Sequence, residues 1–148
     1  MTIGKEEDHF LRHHRLELYP GVEKFRGELN ARNIPTEIVT AGLFDRITRA
    51  TPPDFMSRFK TLITGDKVSK CKPFPNSYMK GTQTRGLTPK SCLVVENAPM
   101  RITAAKEAGA HCVAVCYTLE HKHLTDADEI VASFADLMSS SAIREVLK

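Results

Sequence analysis

The feature that most constrains this chain is the apolar run Cys92, Leu93, Val94 and Val95, which ends abruptly at Glu96 and Asn97. Four consecutive apolar residues without polar alternation predict a strand buried on both faces of a parallel sheet. Pro99 follows at a first helical position, Ile102, Ala105 and Ala108 lie on one side of the helix it opens, and Gly109 ends it. In open α/β sheets ligands bind beyond the carboxyl ends of the strands, so Glu96 and Asn97 stand where chemistry is done.

The same alternation runs through the rest of the chain. Tyr19-Pro20-Gly21 predicts a turn, and Pro20 opens a helix with Val22, Phe25 and Leu29 at helical spacing, closed by Asn33 and Pro35. Residues 37–40 predict a strand ending in the hydroxyl of Thr40, after which Ala41-Gly42 lets the backbone approach a bound group closely. A helix is predicted over 43–50, a short helical piece over 55–58, and a second strand over 59–64 closed by Gly65-Asp66. Lys72 lies in Cys71-Lys72-Pro73-Phe74-Pro75, where each proline drives its predecessor out of the helical region and so fixes Lys72 in an extended pose. Beyond it come a helix over 76–85 stopped by Gly86, a strand over 111–116, a polar loop over 118–126, a short strand over 129–131 and one last helix over 134–147. Strands alternating with helices at this spacing predict an α/β fold with a parallel sheet.

A chain of 148 residues, 41% hydrophobic and 26% charged, suits a single domain with one core. Its net charge of +3 comes from scattered Lys and Arg, which points to no nucleic-acid partner. No run approaches the roughly 20 apolar residues that span a bilayer, and the polar start MTIGKEEDHF has no signal-peptide core, so the expectation is a cytoplasmic protein with no membrane partner. Cys71, Cys92, Cys112 and Cys116 lack metal-ligand spacing and read as reduced, mostly buried thiols. His9 and His13 stand at i, i+4 in a charged, marginal helix over 5–16; without a third ligand they read as a solvated face rather than a metal site.

Three strand ends or adjoining loops therefore carry a hydroxyl (Thr40), an ammonium (Lys72) and a carboxylate with an amide (Glu96, Asn97). Such a set suits a phosphate and a hard cation. Thr donates to a phosphate oxygen, Lys offsets charge on a transferring phosphoryl group, and oxygen ligands hold Mg²⁺.

Four segments in this order, LYPGVEKFRGEL, EIVTAG with Thr40, FKTLITGDKVSKCKPFPNSYMKG with Lys72, and SCLVVENAPMRITAAKEAG, resemble the haloacid-dehalogenase (HAD) superfamily, in particular its β-phosphoglucomutase-like phosphatase branch. The resemblance runs from about Leu18 to Cys116 and implies a three-layer Rossmann-like core over 19–148, with 1–18 similar to the end of a helical cap. It implies that Thr40, Ala41, Gly42 and Lys72 bind phosphate, that Lys72 and Thr40 serve catalysis, and that Glu96 and Asn97 occupy Mg²⁺ positions. Family members begin with a central strand carrying Asp-x-Asp, nucleophile and general acid–base. Here the only early acidic cluster, Glu6-Glu7-Asp8, follows no apolar run, and the usual Glu-Asp pair of the fourth segment is Glu96-Asn97.

Two functions follow from the resemblance and its departures. The first is a phosphatase-type domain acting on a small phosphorylated metabolite, incomplete as it stands and weak in Mg²⁺; the second is a non-catalytic remnant that binds phosphate or a protein partner. A nucleotide-binding Rossmann module is disfavoured because no GxGxxG follows a strand. Without the family's central strand, the strands ending at Thr40 and Val95 face an empty slot, which residues 1–18 are too charged to fill. The chain must pair those strands directly or borrow a strand from a homo-oligomer or a complementing chain, and the expectation is borrowing or a poorly folded monomer.

Overall fold

Among the described residues, apolar runs form five short strands in two parallel sheets, each strand joined to the next by helical or turn segments. The structure, a computed structural model, describes residues 18–70 and 73–148. The elements are α1 (Val22–Ala31), β1 (Glu37–Val39), α2 (Phe44–Ala50), α3 (Pro53–Met56), β2 (Thr61–Ile63), α4 (Asn76–Gln83), β3 (Leu93–Glu96), α5 (Pro99–Ala108), β4 (His111–Val115), β5 (Glu129–Val131) and α6 (Ser141–Val146). Residues 1–17, Cys71 and Lys72 lie outside the described residues, and with them the expectations for the helix over 5–16, for His9 and His13, and for the pose of Lys72.

β1 pairs in parallel with β2, Val39 opposite Ile63; β4 lies between β3 and β5, both parallel to it, with Glu96 opposite Ala114. Side chains alternate across β4. Cys112 and Ala114 join a core with Tyr78, Ile102, Ala105 and Leu124, whereas Val113 and Val115 join one with Leu137, Ile143, Phe25 and Phe134. Helices α4 and α5 thus cover one face and α1 and α6 the other, which is the expected three-layer α/β core.

The strand buried on both faces is β4, however, and not the run at Cys92 that predicts it. Every residue of β3 is only partly buried, while Cys112 to Val115 are at most 1% exposed. The reason is the sheet edge: among the described residues β3 pairs with β4 alone, and no ladder joins it to β1. Direct closure of the slot is therefore not the solution this fold adopts.

Helix α4 ties the two sheets together. Tyr78 packs in the core beside β4, and one turn later a Cβ on Gly81 would meet Val39 Cγ2 at 3.6 Å and Ile63 Cγ1 at 3.8 Å. Just beyond the helix, Arg85 Nε donates to Glu37 Oε1 at the start of β1; both side chains are largely buried.

The single last helix over 134–147 is corrected to two pieces, a 3₁₀ turn over Ala135–Ser139 and α6. Ser140 breaks it by taking an extended ψ of 137° and accepting a hydrogen bond from Ile143 N–H at 3.2 Å. Glu129 reinforces the break, since its carboxylate accepts from Ser141 N–H, the Ser141 hydroxyl and Ala142 N–H. Serine side chains compete for backbone groups in this way and favour caps over helix interiors.

Candidate active site

The first strand end is Thr40. Its N–H still donates to Ile63 O at 2.9 Å, continuing the β1–β2 ladder by one bond, and its Oγ1 accepts from Gly42 N–H at 3.1 Å. The hydroxyl proton is thereby left to donate. The next turn is fastened to the one after β2: Gly65 N–H donates to Gly42 O at 3.0 Å. Gly65 is needed there because a Cβ would lie 2.3 Å from Ala41 O. Leu43, Phe44, Asp66 and Lys67 border an open recess of about 350 Å³ beside this turn, where Phe44 N–H donates to Asp66 Oδ1 at 3.2 Å.

The second strand end is Glu96, which the ladder includes rather than stopping at Val95. Its side chain is 8% exposed. Oε1 accepts from the Tyr78 hydroxyl at 2.6 Å; Oε2 is 3.4 Å from Asn97 N–H and 3.5 Å from Arg101 Nη1. Burial, with the Glu96 charge beside it, pushes the Tyr78 phenol far above its ordinary pKa, so it remains a donor. Arg101 Nη1 also donates to Asn97 Oδ1 at 3.3 Å, while Asn97 Nδ2 and the Thr118 hydroxyl lie 3.5 Å apart.

Val39, next to Thr40, and Val94, two residues before Glu96, pack against the same core cluster, so the two strand ends stand over one apolar bed. Lys72, the expected ammonium of the site, lies outside the described residues. Three participants were not anticipated: Tyr78, Arg101 and Thr118. Arg101 was within reach of sequence reasoning, because it stands four residues after Asn97 on a predicted helix.

A profile of the family described as haloacid dehalogenase-like hydrolase matches residues 2–115. The chain belongs to the haloacid dehalogenase-like hydrolase family. Among its relatives, hexitol phosphatase A of Escherichia coli (strain K12) is 30% identical over 118 residues, covering 80% of this chain and 55% of the relative. Validoxylamine A 7'-phosphate phosphatase of Streptomyces hygroscopicus subsp. limoneus is also 30% identical over 118 residues, covering 79% and 55%. The chain thus spans about half the length of these curated relatives. CbbY from Rhodobacter sphaeroides, solved in complex with phosphate, superposes with a TM-score of 0.75 at 24% identity over 87% of this chain and 60% of that one. At that identity the likeness is one of fold, and it agrees with the three-layer core.

Magnesium is the ion that the family resemblance implies. A Mg²⁺ site needs near-octahedral oxygens at about 2.0–2.1 Å, with one or two carboxylates and room for water. Glu96 and Asn97 offer one carboxylate and one amide oxygen, and those oxygens already accept from Tyr78 and Arg101. Among the described residues no three His, Cys, Asp or Glu side chains converge as a metal cluster. The pair thus brings one carboxylate and one amide oxygen to the end of β3, each already accepting a hydrogen bond within the protein.

Proposed function

We propose that this chain is the phosphate-holding part of a phosphatase core that acts on a small phosphorylated metabolite by phosphoryl transfer. In this reading the Thr40 hydroxyl and the amides of Ala41 and Gly42 take phosphate oxygens, and Lys72 offsets the charge of the phosphate and of an aspartyl-phosphate. Residues 19–148 form the single core domain and 1–18 the end of a cap. The observation that carries the reading is the state of Thr40, whose oxygen accepts from Gly42 N–H and whose proton is thereby left to donate at the end of β1. The names of the relatives, phosphatases of small phosphorylated molecules, agree with it. The unbridged thiols of Cys92 and Cys116 suit a reducing, cytoplasmic setting.

A second reading, a remnant that binds without turnover, is favoured by a different observation. Among the described residues no strand ends in an aspartate. The chain has an Asp-x-Asp triplet at Asp126 to Asp128, but it precedes β5, and Asp128 is committed to Cys112 N–H and the Lys106 ammonium. The two readings meet in one expectation: the chain alone binds phosphate, and a phosphorylated metabolite is turned over only when a complementing chain supplies a nucleophile. The assay is p-nitrophenyl phosphate with a panel of sugar phosphates and Mg²⁺. No turnover above background is expected, since loss of covalent catalysis removes most of the rate enhancement. Activity that survives purification and vanishes in Lys72→Ala would contradict the need for a supplied nucleophile.

A further inference from the structure

The recess beside the Thr40–Gly42 turn is built on an aromatic ring that is exposed and yet held in place. Leu43 directly follows Gly42, and Leu43, Phe44, Asp45, Arg46, Asp66 and Lys67 line a space of about 350 Å³. Leu43 is 52% exposed and Phe44 39%. Two successive large apolar side chains bordering one recess, rimmed by a few polar groups, are what a small-molecule site presents.

Phe44 is fixed at its backbone and at its ring. Its N–H donates to Asp66 Oδ1 at 3.2 Å, and Lys67 Nζ stands over the ring, 4.6 Å from its centroid, where the ring's quadrupole attracts a cation. Lys67 is anchored in turn: its ammonium donates to Leu62 O at 3.3 Å, and its carbonyl accepts from the Lys80 ammonium. Asp66 and Lys67 follow Gly65, whose N–H donates to Gly42 O. Turn, ring and cation are therefore fastened together, and a surface ordered beforehand loses little further freedom on meeting a ligand. Charge at the recess balances, Asp45 and Asp66 against Arg46 and Lys67, so it favours no second anionic group. What it offers is apolar surface with a polar rim.

We propose that this recess takes the organic part of the phosphorylated substrate, and that this part is an aromatic or heteroaromatic ring laid against Leu43 and Phe44. The position of the ester rests on the phosphate reading of Thr40; the affinity of the recess for a ring does not. A ring suits the place because aromatic pairs gain from offset or edge-to-face contact in addition to the area they bury. Leu43 and Phe44 are then specificity-determining residues, and Lys67 is a positioning residue that acts through Phe44.

The test is calorimetric titration of the full chain with phenyl phosphate and with methyl phosphate, the same anion with and without a ring. Phenyl phosphate should bind roughly tenfold more tightly or better, as burial of a ring against two apolar side chains predicts. In Phe44→Ala, and in Leu43→Ser as a second variant, that preference should shrink while methyl phosphate binds as before; thermal unfolding confirms that each protein titrated is folded. A second arm reads the recess without any phosphate: phenol should displace the Leu43 methyl resonances by its ring current, and much less so in Phe44→Ala. Displaced Leu43 resonances with no binding of either ester would place the fault at Thr40 and uphold the recess. Measurable but equal binding of the two esters by the natural chain, a preference that survives in both folded variants, or Leu43 resonances that phenol leaves unmoved would overturn the proposal.

Discussion

The Tyr78 hydroxyl donates to Glu96 Oε1 at 2.6 Å, linking the helix that spans the two sheets to the carboxylate at the end of β3. Both side chains are nearly buried, so the bond is formed in a low-dielectric setting. Tyr78→Phe removes this donor to the Glu96 carboxylate. The expected cost is roughly 1–3 kcal/mol, read as a lower midpoint of urea unfolding with an unchanged slope. The same bond sets an alkaline limit: the folded pKa of Tyr78 is raised, so its contribution is complete below the ordinary value of 10.0 and is lost as pH rises beyond it. Tyr78→Phe should flatten that alkaline decline, and an unchanged profile would show that other groups cause it.

Acid stability turns on Glu129. The Ser141 hydroxyl, ahead of opposing desolvation and with further help from Ser140 and the Ala142 and Ser141 amides, holds its carboxyl down at about 2 from a usual 4.5. A depressed carboxylate contributes stability that is present above its unfolded pKa and is lost as pH falls through the folded one. Stability should therefore decline between pH 4.5 and about 2, and Glu129→Gln should remove most of that pH dependence while lowering stability at pH 7 by roughly 1 kcal/mol. Unfolding curves across this range decide it; a Glu129→Gln profile parallel to the natural one would place the acid sensitivity elsewhere.

The inner edges of β1 and β3 give a third expectation. Among the described residues no ladder joins the two edges, and a strand edge that stays open within its own sheet is a template for another strand. Size-exclusion chromatography with light scattering should show concentration-dependent self-association. A monodisperse monomer with a sharp cooperative unfolding transition would mean that these edges are satisfied within one chain.

How much of this was legible beforehand differs between the backbone and the site. The strands at Glu37, Thr61, Leu93, His111 and Glu129 are readable because each is an apolar or β-branched run followed by turn chemistry or a helix. Burial was misjudged at Leu93 to Glu96, since a continuous apolar run does not say which neighbour pairs with it, and β4 took the central place instead. The expected last helix over 134–147 is divided because the serine run over 139–141 has side chains that cap rather than continue. At the site, Thr40 and Glu96 were found as polar residues ending apolar runs. Tyr78 was not, because a core aromatic and a carboxylate's partner look alike until the helix is docked.

The most direct test of the account is phosphate binding itself. Calorimetric titration of the full chain with inorganic phosphate, and separately with orthovanadate, should show weak saturable binding. It should weaken by roughly tenfold or more in the folded Thr40→Ala, Lys72→Ala double variant, since charge-assisted hydrogen bonds to the anion are lost. Binding of unchanged affinity in that variant would contradict the placement of the phosphate at Thr40, Gly42 and Lys72.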